Sequence, residues 1–73
     1  MNITLYSTGC PMCRVVTAKL TQAGVNFETI EDKDAVVQIG QDNGIKSAPI
    51  LVVDGTAYDY KKALAWIKEQ KNG

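Results

Sequence analysis

The chain has 73 residues, of which 45% are hydrophobic, and its 8 Lys and Arg balance 8 Asp and Glu for a formal net charge of +0. That length supports one compact core that buries about 60% of the unfolded surface, so the expectation is a single domain over 1–73. The balanced charge lacks the basic face that nucleic acid or an anionic membrane selects for. No apolar run approaches the roughly 20 residues of a membrane span, and Met1 to Tyr6 lacks the basic-then-apolar pattern of a signal peptide. A cytoplasmic monomer with no nucleic-acid or membrane partner is therefore expected.

Asn2-Ile3-Thr4-Leu5-Tyr6 alternates apolar and polar residues and predicts a strand. Ser7-Thr8-Gly9 breaks it. Pro11 stands where a first helical residue would, a place proline tolerates because that N–H has no intrahelical partner. Met12, Val16, Leu20 and Ala23 follow at helical spacing, and Gly24 is a stop signal. Val25 to Ile30 alternates again, with Val25, Phe27 and Thr29 on one face, and predicts a second strand. Lys33 to Asn43 reads as a short helix that starts near Asp32 or Asp34 and ends before Gly44, with Gly40 as an unfavourable residue in its last turn.

Ile50-Leu51-Val52-Val53 is a continuous apolar run, as in a strand covered on both faces. Asp54-Gly55 is a hairpin turn signal, and Thr56-Ala57-Tyr58 is the return strand. Asp59 is placed to cap a last helix with Tyr60, Ala63, Leu64 and Ile67 as its apolar stripe and Trp66 as packing. The predicted order is βαβαββα. A strand–helix–strand unit brings a parallel pair with a right-handed crossover and the hairpin adds an antiparallel one. The result is an α/β fold: a four-stranded mixed sheet with helices on both faces.

Cys10-Pro11-Met12-Cys13 is the sharp motif. It opens the first helix, with Cys10 at the N-cap and Cys13 one turn inside. The first turn of a helix leaves N–H groups without partners and carries partial positive charge. Both favour a thiolate, the nucleophile of disulfide exchange, and Cys13 is spaced to attack a mixed disulfide on Cys10. A structural zinc site needs four ligands, and this chain holds 2 Cys and 0 His. A metal or iron–sulfur module would have to use Cys10 across a dimer. A structural disulfide here would close too short a loop to stabilise much. A C-x-x-C beside a strand–helix–strand pattern is a thioredoxin-like signature. Arg14, next in sequence, reads equally as a thiolate partner or a solvated residue.

With a strand, Cys10-Pro11-Met12-Cys13, a helix and Ser47-Ala48-Pro49 in this order, the chain resembles the glutaredoxins over nearly its whole length. The resemblance implies a thioredoxin-like fold and a dithiol thiol–disulfide oxidoreductase serving electron transport and cell redox homeostasis. It implies Cys10 as the attacking thiol, Cys13 as the resolving one and a cis Pro49 beside them. The Ala48 backbone would pair with substrate like an added strand. Pro11, Met12, Ala48, Pro49 and Asp59 are the expected substrate-binding residues. No bound cofactor or metal is implied.

Electrons would come from glutathione or from an NADPH-dependent thioredoxin reductase and go to disulfide-containing proteins. The chain also resembles the small glutaredoxin-like electron donors of ribonucleotide reductase, which makes that enzyme an expected partner. Glutaredoxins usually carry a lysine ahead of the cysteines, where this chain has Ser7-Thr8-Gly9. They also carry a Gly-Gly turn and an acidic pair before the last helix, where this chain has Gly55 to Asp59 and only Asp59 matches. Those departures favour a protein reductase over glutathione, unless Lys33 or Lys46 folds close enough to replace the missing charge.

Overall fold

The computed structural model describes residues 2–71; Met1, Asn72 and Gly73, the ends of the expected domain, lie outside them. The elements are β1 (Ile3–Tyr6), α1 (Pro11–Gln22), β2 (Glu28–Ile30), α2 (Lys33–Asn43), β3 (Ile50–Val53), β4 (Thr56–Tyr58) and α3 (Tyr60–Lys71). This is the predicted βαβαββα order. The strands form one sheet in the order β2-β1-β3-β4. β1 and β2 are parallel, while β1–β3 and β3–β4 are antiparallel.

Register decides what the sheet buries. Ile3 lies opposite Val53 and Leu5 opposite Leu51. In an antiparallel pair, directly opposed residues share a face. All four are buried in one cluster with Val16 and Leu20 of α1 and Ala63 and Ile67 of α3. Tyr58, Tyr60, Leu64 and Trp66 pack against that cluster. The other face of β3 begins at Ile50, whose side chain reaches Gly40 of α2. Helices therefore cover both faces, α1 and α3 on one and α2 on the other.

Two details depart from the sequence expectation. β2 is Glu28–Ile30 rather than a strand from Val25. The Val25 N–H bonds instead to the Leu20 carbonyl at 3.1 Å, so this residue belongs to the exit of α1. Val25 and Phe27 still pack on the core, but Thr29 is exposed. The inner face of α1 starts at Cys13 and continues through Val16 and Leu20, whereas Met12 is 42% exposed. One residue is 100° of helical turn, which is enough to exchange the two. The bounds of α2 are as read, with Gly40 inside the helix, which continues to Asn43 and is capped by Gly44. A Cβ at position 40 would lie 2.5 Å from the Ile45 carbonyl oxygen, so glycine lets the chain leaving α2 cross close over the helix. The hairpin is as read, with Asp54 at φ 49° and Gly55 at φ 86°, the backbone of a two-residue type I′ turn.

Candidate active site

Cys10 is the N-cap of α1, with extended backbone at φ −72° and ψ 164°, and Pro11 opens the helix. Its sulfur accepts the Cys13 N–H at 3.2 Å, one of the N–H groups a helix start leaves without a partner. No acidic residue sits in the first turn of α1 to oppose a negative sulfur there. Both thiols are free; Cys10 is half-buried and Cys13 buried, with 1% of Cys13 exposed. Their sulfurs lie 2.6 Å apart. A partner molecule can thus reach Cys10, while Cys13 is reached through Cys10.

Ser7, read in the sequence as part of a chain break, is the one buried polar residue among those described, at 5% exposure. It extends the alternation of β1, in which Ile3, Leu5 and Ser7 all face inward, and its N–H continues the β2 pairing by bonding to the Ile30 carbonyl at 2.9 Å. Its hydroxyl oxygen accepts the Gly9 N–H at 3.1 Å. Thr8 Oγ1 lies 4.0 Å from Cys13 Sγ. Burial opposes a thiolate on Cys13. Hydrogen bonds from the Cys10 and Ser7 side chains, and from the backbone of Thr8 and Cys10, outweigh it and bring the thiol from 9.0 down to about 7. Arg14 and Glu31 line a cleft on this side together with Ser7, Cys13, Thr17 and Thr29.

The Ala48–Pro49 bond is cis, as the resemblance implied. Tyr6 pairs with Ile50, so one further step of register sets Pro49 opposite Ser7 at the cysteine end of the sheet. Ala48 lines a groove of about 430 Å³ with Thr8, Ser47, Ile50 and the apolar Val36, Val37 and Ile45 of α2 and its exit. Lys33 and Lys46 line the same groove, and no carboxylate does. The two lysines named as replacements for a missing charge are therefore brought together beside Ala48. Pro11 and Met12 are exposed next to Cys10.

Asp59 caps α3, its Oδ1 accepting the Lys62 N–H at 2.9 Å. It follows Tyr58, which pairs with Leu51, so it sits at the same end of the sheet as Pro49. Among the described residues no group of three or more His, Cys, Asp or Glu is placed to hold a metal ion, and no helix is long and apolar enough to cross a membrane.

No curated protein matches the chain in sequence. Among solved structures, it superposes on the T8A mutant of the thioredoxin-like protein BC3987 with a TM-score of 0.76 at 24% identity, over 97% of this chain and 95% of that one. NrdH-redoxin from Escherichia coli, described as a glutaredoxin-like protein with a thioredoxin-like activity profile, matches with a TM-score of 0.78 at 18% identity, over 94% and 93%. A glutathione S-transferase from Ascaris lumbricoides matches with a TM-score of 0.79 at 17% identity, over 99% of this chain but 37% of that one. At these identities the likeness is one of fold, and the fold is thioredoxin-like. In sequence, the model of the glutaredoxin family matches residues 3–58, a span that runs from the first residue of β1 through both cysteines, the cis proline and the hairpin, and on that match the chain belongs to the glutaredoxin family.

Proposed function

We propose that the chain is a dithiol redox carrier that exchanges disulfides through Cys10 and Cys13. The observation that carries this reading is the accessible Cys10 sulfur at the start of α1, with the buried Cys13 sulfur 2.6 Å behind it. The Cys10 thiolate attacks a disulfide of the target. One target sulfur leaves as a thiolate and the other stays bonded to Cys10. The Cys13 thiolate then attacks Cys10 Sγ, the Cys10–Cys13 bond forms, and the second target sulfur leaves with the electron pair. The target gains two electrons and the dithiol loses two. A reductant reverses the cycle.

The groove beside Ala48 supports docking of the target, with the Ala48 backbone as an added-strand partner and Met12 as an apolar contact. Asp59, at the same end of the sheet, fits a polar contact with the target. For the reductant we favour a flavoprotein such as thioredoxin reductase, which needs no dedicated carboxylate pocket. Lys33 and Lys46 in the groove supply cations that the sequence comparison lacked, and they make glutathione a second reading. A disulfide protein such as ribonucleotide reductase suits either.

Cys10→Ser is expected to abolish reduction of a model disulfide, and Cys13→Ser to accumulate a mixed disulfide on Cys10 detectable by mass spectrometry. A Cys10→Ser variant with full turnover would refute the reading. Paired NADPH assays, one with glutathione and its reductase and one with thioredoxin reductase, assign the reductant. Saturable turnover with glutathione alone would overturn the preference for the flavoprotein.

A further inference from the structure

The two sides of the cysteine motif differ in charge and polarity. On one side Arg14 and Glu31, of opposite sign, line a cleft with Ser7, Thr17 and Thr29. On the other lies the groove of about 430 Å³, in which Lys33 and Lys46 are the only charged residues among those described. Of the carboxylates that belong to α2 or flank it, Asp32 accepts the Asp34 N–H at 3.0 Å and Asp42 accepts the Gln38 side-chain amide at 3.0 Å. Glu31 lines the opposite cleft, and Asp34 is outside the lining of either. Both lysines are exposed. Val36, Val37, Ile45 and Ile50 form the apolar part of the groove, and 49% of Val37 is exposed. Such a surface gains when an apolar group covers it, and a pair of lysines without a carboxylate gains from an acidic partner.

We propose that this groove selects the target polypeptide: it takes a segment beside the target cysteine in which a bulky apolar side chain covers Val37 and Ile45 and an acidic side chain meets Lys33 and Lys46. The inference rests on thiol–disulfide exchange as the function and names the class of target. Thr8 and Ala48 line the near end of the groove, and Thr8 stands two residues before Cys10, so chain leading away from a cysteine bonded to Cys10 meets the groove at once. Glutathione shares the acidic chemistry through its carboxylates. It has no large apolar side chain to set against the valines and isoleucines, and the lining therefore favours a polypeptide. Exposed ion pairs are weak, about two- to fivefold in affinity each, and two of them together give about five- to tenfold.

The test titrates the reduced protein with an unreactive pentapeptide: serine at the centre in place of the target cysteine, leucine on each side of it and glutamate at both ends. The same peptide with glutamine at both ends is the comparison, and amide ¹⁵N–¹H shifts report binding. The glutamate peptide should bind about five- to tenfold tighter, shift the amides of Val37, Ile45, Lys46 and Ala48, and lose its advantage at high salt. Lys33→Gln with Lys46→Gln should abolish the advantage, while Lys19→Gln, an exposed change in the last turn of α1, should keep it. Equal binding of the two peptides, no shift with either, an advantage that survives loss of both lysines, shifts centred on Arg14, or tighter binding of S-methylglutathione than of the glutamate peptide each overturns the proposal. Pyridyl mixed disulfides of the matching cysteine peptides test the exchange reading separately: the Cys10 thiolate bonds to the peptide sulfur and pyridinethiolate leaves as a chromophore, at rates expected in the same order. Preferential binding of the glutamate peptide without chromophore release would refute thiol exchange and leave the acidic selectivity of the groove standing.

Discussion

Replacing Gly40 by alanine sets two effects of opposite sign against each other. Alanine is the better helix former by about 1 kcal/mol, and position 40 lies within α2, so propensity alone predicts a more stable protein. The added Cβ, however, would stand 2.5 Å from the Ile45 carbonyl oxygen and 3.4 Å from the Ile50 side chain. The oxygen belongs to backbone and cannot rotate aside. The Ile45 N–H is itself tied to the Gly40 carbonyl at 2.8 Å, so relief requires the segment leaving α2 to move. Overpacking of this kind costs about 1–3 kcal/mol, and a clash with tethered backbone belongs at the upper end. The net expectation is a loss of about 2 kcal/mol, which lowers Tm by roughly 8–16 °C in a domain of this size. Because Ile45 and Ala48 line the groove with Gly40, the shift should also raise KM for a protein disulfide. Thermal and urea unfolding of Gly40→Ala beside Gln41→Ala, a neighbouring exposed helix position, measures it. A Gly40→Ala protein as stable as wild type would refute the close crossing of α2 by its own exit.

The reduced protein should gain stability with rising pH. The Cys13 thiol lies at about 7 in the fold against 9.0 in the free group, so its contribution is complete above about 9, declines between 9 and 7, and is gone below 7. Urea midpoints at pH 6 and pH 9, compared with those of Cys13→Ala, isolate the slope, and equal slopes in both would count against the lowered thiol. Asp59→Ala should cost about 1 kcal/mol through the lost cap on α3, read by urea unfolding. Asp59→Asn keeps the cap but removes the charge; an unchanged KM in that variant would exclude a charged contact between Asp59 and the target.

Where local chemistry decided the outcome, the sequence was readable. The bounds of α2 follow from an Asp32 whose carboxylate accepts the Asp34 N–H at 3.0 Å and from the Gly44 cap, both ordinary helix punctuation. Asp54-Gly55 and the Asp59 cap belong to the same kind of short-range signal. β2 was not readable because alternation alone does not say which residues join a ladder: its pairing with β1 begins at Glu28 opposite Thr4, while the Val25 N–H is taken by the exit of α1, so Val25 and Phe27 pack on the core without joining the ladder. The groove needed the fold as well. Lys33 opens α2 and Lys46 follows it, and only the return of the chain past Gly40 brings both to Ala48.

Ser7 is the instructive residue, since its signal was present in the alternation of Ile3, Leu5 and Ser7 itself. Taken as a break in a strand, Ser7-Thr8-Gly9 looked like a segment that had lost a lysine. Continued as the inward face of β1, the same segment carries a buried hydroxyl that accepts the Gly9 N–H. A lysine ahead of the cysteines would act on whatever anion approaches from solvent, whereas a buried serine ties down, through the Gly9 N–H, the turn that leads into Cys10. The departure from the family pattern therefore removes an attraction for incoming substrate, and we propose that Lys33 and Lys46 restore it from the groove beside Ala48.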